Sequence, residues 1–419
     1  MTQRDSWDLL RLALAAAVLT SVWRLQDLFP ALAPLRLPSL MIVVLLALFL
    51  ISPREQLRLN LASRSTVMRG LTLIVVLAVL SVPTSLWAGH SFGFLIKNVL
   101  PAFVLAGAAA VASYTVSDAR RVAAIQVAGA LIFAVVVYLR YDLGEGGRLG
   151  DLAHYDANDL GLLMVCSLPL AVYFLEYAPR LVFRVLALGA VGMFLVTIVR
   201  TGSRGAFLGL LAVTLYLLAR YTTVFWGRRV AIVAGVAALF FVSTGAQYRT
   251  TLATLLKPKD DYNWSGNTEG GRMAIWERGV YYMKIRPLTG VGLAAFPIAE
   301  GTLSPLADRQ MFSRGVKWSA AHSVYIQIGA ELGILALLAF IGTLISAIVM
   351  ASRLSREAIR RGERSTAALA RAQATGIVGF AIAGAFLSQA YAPFLFVSLG
   401  AMVGLDLAAR QAWRAAALT

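Results

Sequence analysis

The chain is built from repeated apolar runs of roughly 18 or more residues, the length that an α-helix needs to cross ~30 Å of hydrocarbon. Only 14% of its 419 residues are charged, whereas a soluble domain carries about 25%. Transmembrane β-barrels are disfavoured, because their strands alternate apolar and polar residues. We therefore predict an all-α polytopic membrane protein with about twelve transmembrane helices. The predicted spans are Leu9–Leu25, Ser39–Ile51, Gly70–Trp87, Phe94–Val116, Val122–Tyr138, Asn158–Tyr177, Val185–Val199, Ala206–Tyr221, Val230–Thr244, Ser323–Ala351, Gln373–Gln389 and Ala392–Ala408.

The short loops between these spans carry most of their arginines on one side of the membrane. Loops on the cytoplasmic side of bacterial membrane proteins are enriched in Lys and Arg, so both termini are predicted to be cytoplasmic. The first apolar run is interpreted as a helix and not as a signal peptide, because no small-residue cleavage site follows it. The expected organisation is spans 1–9 in residues 1–246, a periplasmic loop domain in residues 247–322, and spans 10–12 in residues 323–419.

The predicted periplasmic loop is itself basic, with ten Lys or Arg residues against six acidic residues, in a chain of net charge +17. The cytoplasmic bias does not explain cations on the outer face, so we expect an anionic ligand there. Nucleic acid is not expected, because the chain has no soluble basic domain with interleaved aromatic residues. Helical spacing predicts a helix over Arg272–Ile285, ended by Arg286–Pro287 and the glycines of LTGVG, and a second short helix over Ala307–Lys317.

Several arginines are candidates for binding that anion. Arg200 and Arg204 bracket a Gly–Ser break between two spans, where a planar guanidinium can hold phosphate through two hydrogen bonds; the alternative is that both reach to the membrane surface. Arg272 begins the predicted loop helix, whose free N–H groups already attract anions. Arg148, in a glycine-rich outer loop, could also reach a ligand or belong to an ordinary loop.

His322, directly before the tenth predicted span, is a candidate general base, because histidine titrates near neutral pH. The alternative is a hydrogen-bonded structural residue at the interface. Glu331 follows within an apolar stretch, where it is predicted to cap a helix or to pair with an arginine.

Metal and cofactor motifs are missing from the sequence. It contains no HExxH, CxxC or P-loop, and its acidic residues group closely only at Asp156/Asp159 and Asp260/Asp261. Divalent metal ions such as Mg²⁺ are held mainly by carboxylate oxygens. We therefore predict a site without metal or cofactor, in which arginines supply the positive charge.

Together these motifs resemble the O-antigen ligase/polymerase superfamily. The resemblance covers about residues 150–340 and rests on DANDLGLL at 156–163, Ser203-Arg204-Gly205, RMAIWERG at 272–279, PLTGVG at 287–292 and AHSVYIQIGAELGI at 321–334. It implies a GT-C-like membrane fold of about twelve helices with a helical periplasmic insert. It also implies transfer of a glycan from undecaprenyl diphosphate, at the periplasmic face of the inner membrane.

The resemblance implies roles for three residues. Arg204 and Arg272 would hold the diphosphate and His322 would be the catalytic histidine, whereas Arg200 and Arg148 have no such match. A ligase would pass the glycan to lipid A–core, a polymerase to another lipid-linked repeat, and some relatives to protein. The ligase is preferred because the chain is compact. A flippase of lipid-linked sugars is the main alternative of another class.

Overall fold

The computed structural model describes residues 8–140, 155–220, 269–311 and 317–418, together with residues 227, 230, 234, 235, 261, 263 and 264. Every regular element within these residues is helical. Most of the ninth predicted span, Val230–Thr244, and the candidate Arg148 lie outside the described residues.

The helices before the long connection begin near the amino terminus. They are α1 Leu9–Ser21, α2 Leu25–Leu28, α3 Leu37–Ile51, α4 Pro53–Ser63, α5 Thr66–Ser81, α6 Ala88–Phe94, α7 Leu100–Ala112, α8 Val116–Arg140, α9 Ala157–Tyr177, α10 Leu181–Thr201 and α11 Arg204–Arg220. A 3-10 turn, Pro30–Leu35, precedes α3, and a π-helical turn, Leu95–Val99, joins α6 to α7.

After the long connection the helices are α12 Arg272–Ile285, α13 Phe296–Thr302, α14 Asp308–Met311, α15 Val324–Leu332, α16 Ile334–Arg360, α17 Arg364–Ala383 and α18 Pro393–Ala416. Helix α12 has the bounds that helical spacing predicted for it. Of the second predicted loop helix, Ala307–Lys317, the described residues show the short α14.

Seven of the described helices are long and apolar enough to cross a membrane, or up to eight if the bent pair α3 and α4 counts as one span. That pair meets at an angle of 100°. Helices α1 and α5 are apolar but shorter. The prediction of a polytopic, helical membrane protein is confirmed, although the described residues account for fewer spans than the twelve predicted.

Burial separates the inner helices from those that face lipid. The apolar windows of α9 and α18 are 72% and 78% buried, whereas those of α10 and α16 are each 33% buried. Helix α9 packs against α10 and α17, α17 packs against α11 and α16, and α18 packs along α7. Eight residues of α7 in a row, Leu105–Ala112, are buried and small or aliphatic, which allows this close helix packing.

The tenth predicted span, Ser323–Ala351, is not one continuous helix. It breaks at Gly333, which has φ +90°, and a Cβ there would lie 2.6 Å from the carbonyl oxygen of Pro287. Only glycine fits this position without strain. The N–H of Ile334 donates to the Pro287 carbonyl at 2.9 Å, and the N–H of Val291 donates to the carbonyl of Ala330 at 2.8 Å. The PLTGVG turn therefore packs against the helix break and is held there by main-chain hydrogen bonds.

The segment between α11 and α15 has a core of its own. Glu300 of α13 is 1% exposed, and its carboxylate accepts hydrogen bonds from the Arg278 guanidinium at 2.6 to 3.1 Å and from the Tyr282 hydroxyl at 2.7 Å. Burial, and then the Glu300 carboxylate, raise the pKa of Tyr282. This buried pair fixes α13 against α12, and thereby orients the amino end of α12 that carries Arg272.

Candidate active site

His322 is held in a strained backbone conformation directly before α15. Its φ is +48°, in the left-handed region that residues other than glycine seldom occupy. The His322 N–H donates to Ser388 Oγ at 2.8 Å, and the carbonyl of the preceding Ala321 accepts from Trp276 Nε1 at 3.1 Å. Ser323 then caps α15 through its hydroxyl. Strain of this kind persists where the surroundings over-determine the backbone, and it is concentrated at functional sites.

The environment of His322 favours its neutral form. Burial of the half-buried ring lowers its pKa from the ordinary 6.5, and the nearby charges of Arg272 and Lys317 lower it further, while Asp156 raises it. Within the described part of the chain the imidazole makes no hydrogen bond. A neutral ring with open nitrogens can accept a proton at pH 7.

Arg204, the first residue of α11, forms an ion pair with Asp261. The two side chains are 13% and 4% exposed, so the pair is largely removed from water. The other carboxylate oxygen of Asp261 accepts from the N–H of Asn263 at 2.8 Å, and the Asn263 carbonyl accepts from the N–H of Met273 at 3.1 Å. Asp261 therefore connects the start of α11 to the first turn of α12, which begins at Arg272.

Three aromatic rings pack between this connection and His322. Trp264 lies 5.4 Å from Trp276 and 5.9 Å from Phe386, measured between ring centroids, and Trp276 lies 6.2 Å from Phe386. Because Trp276 also donates to the carbonyl next to His322, the same ring positions both the histidine and the segment that carries Asp261. Arg204, Arg272 and His322 are thus brought together by one cluster of contacts.

The start of α9 reaches the same place from the other side. Asp156 caps this helix by accepting from the N–H of Asp159 at 2.8 Å. A Cβ on Gly161 would lie 2.6 Å from the Cβ of Ala206, so only glycine allows the first turns of α9 and α11 to approach so closely. The DANDLGLL motif therefore contributes a carboxylate near His322, a role that its sequence alone did not reveal.

The two remaining arginine candidates are not joined to this group by any described contact. Arg200 lies in the last turn of α10, and no hydrogen bond or ion pair within the described ranges links it to Arg204, Arg272 or His322. Arg148 lies among residues 141–154, outside the described part of the chain.

One interpretation of the sequence paired Glu331 with an arginine, but the described residues show no such ion pair. Its carboxylate accepts from the Tyr391 hydroxyl at 2.8 Å and from the backbone N–H of Ala294 at 3.0 Å, and it is 2% exposed. The reason is that the PLTGVG turn brings a main-chain donor to it. Glu331 thus stabilises the junction below His322.

A cavity of about 480 Å³ opens beside the histidine. Its lining includes Ala321 and Ser388, which flank and bind the His322 backbone, and also Arg24 and Lys97. Lys97 lies in the π-helical turn; such turns in α-helices are frequent at functional sites. Sequence reasoning missed both cations, although Lys97 is an isolated charge in an apolar run, which is itself a functional signal.

The described residues show no group of three or more His, Cys, Asp or Glu side chains that could hold a metal ion. The cations whose charges act on His322 are Arg272, which begins α12, and Lys317.

Residues 188–341 match the family model described as O-antigen ligase. The match confirms the superfamily resemblance of the motifs, and it includes Arg204, Asp261, Arg272 and His322. Asp156 lies outside the matched residues. No curated protein matches the chain.

Proposed function

We propose, from the match of residues 188–341 to the O-antigen ligase family model, that this protein is an O-antigen ligase. It would transfer a glycan from undecaprenyl diphosphate to lipid A–core oligosaccharide. The observation that carries the proposal is that the contacts of Asp261, Trp264 and Trp276 bring the starts of α11 and α12, which carry Arg204 and Arg272, together with His322, whose environment favours the neutral imidazole. The proposed reaction is metal-independent and inverts the anomeric centre.

Arg204 and Arg272 hold the donor diphosphate in this proposal. Guanidinium groups bind phosphate oxygens through paired hydrogen bonds and keep their charge at any physiological pH. Fixed cations aimed at the departing diphosphate stabilise the negative charge that develops there. Asp261, which now pairs with Arg204, competes with the diphosphate for the same guanidinium.

His322 acts as the general base towards the acceptor. An imidazole nitrogen takes the proton from an acceptor hydroxyl while that oxygen bonds to the anomeric carbon. The bond from the anomeric carbon to the phosphate oxygen breaks, and its electron pair leaves with the diphosphate. The imidazolium that forms is stabilised by the nearby carboxylate of Asp156. Such general-base assistance contributes typically 10² to 10⁴ in rate.

The proposed setting is the periplasmic face of the bacterial inner membrane, with about twelve crossings in a GT-C-like fold and both termini cytoplasmic. The bias of Arg and Lys towards one set of loops supports this orientation. The helices α12 and α13, with their own buried core, would then form the periplasmic insert between spans 9 and 10.

Purified protein in lipid, with lipid-linked glycan and lipid A–core, tests the chemistry. We expect His322→Ala to lose at least a hundredfold in transfer rate while it still binds the donor. We expect Arg204→Ala to lose both transfer activity and donor binding. Transfer at the parent rate by His322→Ala would show that the base is assigned wrongly, and its retained donor binding controls for misfolding.

The acceptor is tested separately, because a polymerase and a protein glycosylating relative would share this chemistry. A deletion strain that loses long chains from lipid A–core, while polymerised lipid-linked chains accumulate, supports the ligase. Accumulation of single lipid-linked repeats instead would identify a polymerase. A flippase would move the donor and form no glycosidic product.

A further inference from the structure

A second basic cavity, of about 680 Å³, lies at the opposite end of the bundle from His322. It is enclosed by the last turns of α16 and α18, and we name it the arginine pocket. Helix α16 begins near the candidate active site at Ile334, and the pocket is lined from Arg353 to Arg361, which at 1.5 Å per residue is about 30 to 40 Å along the helix. The arginines of the pocket are Arg353, Arg356, Arg360, Arg361, Arg410 and Arg414.

Carboxylates neutralise only part of this charge. Glu357 pairs with Arg361 at 2.8 Å and with Arg360 at 3.5 Å, and Asp406 pairs with Arg410 at 2.8 Å. The other three arginines, Arg353, Arg356 and Arg414, make no ion pair within the described residues. The pocket therefore retains positive charge for a ligand.

Trp413 gives the pocket a fixed wall. Its ring is 8% exposed, the Arg361 guanidinium lies 4.8 Å from the ring centroid, and its Nε1 donates to Glu363 at 2.7 Å. The general bias of arginines towards the cytoplasmic side accounts for cations at this end of the bundle. This bias does not explain why the arginines surround a cavity that has the buried Trp413 ring at its edge.

The outer face of α16 connects the pocket to the hydrocarbon region. Ile345 and Val349 are 55% and 39% exposed, and helical spacing of three or four residues continues this face through Arg353 and Arg356 to Arg360. A single stripe thus changes from apolar side chains to arginines where α16 leaves the membrane. Acyl chains on the first part of the stripe would place a phosphate at the second part.

We propose that the arginine pocket binds an anionic phospholipid whose headgroup carries two phosphates. Three guanidinium groups without carboxylate partners exceed the charge of one phosphodiester and suit two. The apolar stripe identifies the source of the phosphates as a membrane lipid and not a soluble anion. This site does not depend on the proposed transfer reaction.

Native mass spectrometry of the purified full chain tests the proposal by counting bound lipids. The probes are a two-phosphate phospholipid, a single-phosphate anionic phospholipid, a zwitterionic phospholipid and inorganic pyrophosphate. The two-phosphate lipid should bind at least tenfold more tightly than the other three. Equal binding of the zwitterionic or single-phosphate lipid would overturn the proposal, and so would equal binding of pyrophosphate.

The variants compare the pocket with arginines elsewhere. Each basic residue near an anionic headgroup contributes about fivefold in affinity, so Arg353→Gln, Arg356→Gln and Arg414→Gln together should weaken binding on the order of a hundredfold. The control combines Arg64→Gln, Arg69→Gln and Arg180→Gln, three exposed arginines with the same change in net charge.

Equal weakening by both triple variants would refute a specific site. If the pocket triple variant does not fold, Arg356→Gln alone should weaken binding about fivefold. Unchanged binding by this single variant would also refute the site.

Discussion

Asp261 has two proposed effects on Arg204: it stabilises the folded protein through their ion pair, and it competes with the donor diphosphate for the guanidinium. Replacement of Asp261 by asparagine separates these two effects. The ion pair is largely buried, and removal of one partner from a buried pair costs about 3 to 5 kcal/mol, because the remaining charge loses its compensation. We therefore expect Asp261→Asn to unfold about 5 °C below the parent protein in the absence of donor.

Donor binding should change in the opposite direction. A phosphate bound to the Arg204 guanidinium opposite Asp261 would lie about 6 Å from the Asp261 carboxylate, where two negative charges repel by about 3 kcal/mol at an effective dielectric constant of about 20. Part of this repulsion disappears in Asp261→Asn. We expect the variant to bind the lipid diphosphate at least tenfold more tightly.

Thermal unfolding in detergent, with and without undecaprenyl diphosphate-linked glycan, measures both effects. The donor should raise the Tm of Asp261→Asn by more than it raises that of the parent, because binding to the folded state stabilises it. Glu269→Gln is the matched control: its ion pair with Arg309 is exposed and contributes about 0 to 1 kcal/mol. Equal or weaker donor binding by Asp261→Asn would refute the competition.

Two further predictions concern the same region. Burial and Arg272 lower the pKa of His322, so the base form is already populated at pH 7. The transfer rate should therefore fall on acidification with a midpoint below pH 6.5. A midpoint above pH 6.5 would contradict this assignment. Arg278→Leu leaves the buried Glu300 carboxylate without its cation and should lower the free energy of unfolding by about 3 to 5 kcal/mol. The control Arg309→Leu removes an exposed pair and should cost about 0 to 1 kcal/mol. Equal losses of Tm would show that the buried pair stabilises the protein no more than the exposed one.

The sequence predicted apolar helices where apolar runs are continuous, although seven or eight of the described helices meet the length of a span against twelve predicted. It failed where backbone conformation decides. The helix over Arg272–Ile285 was predicted with the observed bounds, because a Gly–Arg start and an Arg–Pro end mark it locally. Gly333 lies inside the tenth predicted span, Ser323–Ala351, which periodicity treats as one helix. Its left-handed φ, which splits the tenth span, depends on the distant Pro287 and is invisible to periodicity.

The candidate site was predicted from motifs, but its assembly was not. Arg204 was identified at a Gly–Ser break between two spans, Arg272 at the start of the loop helix and His322 directly before the tenth span, and the superfamily resemblance implied their roles. Asp261 was noted only as one of two neighbouring acids, and its pairing with Arg204 depends on how the chain returns from the long connection. The contribution of Asp156 to the charge around His322 is of the same long-range kind.

The junction between the PLTGVG turn and the broken helix is made from peptide groups. Its donors and acceptors remain when the side chains of Val291, Ala330 and Ile334 are replaced by those of any residue except proline, which has no backbone N–H. The side chains at those three positions can therefore vary while the loop core keeps its position against the transmembrane helices. The position of His322 therefore depends on backbone hydrogen bonds and on the glycines that allow the two segments to approach, and those glycines are the positions of the junction most sensitive to mutation.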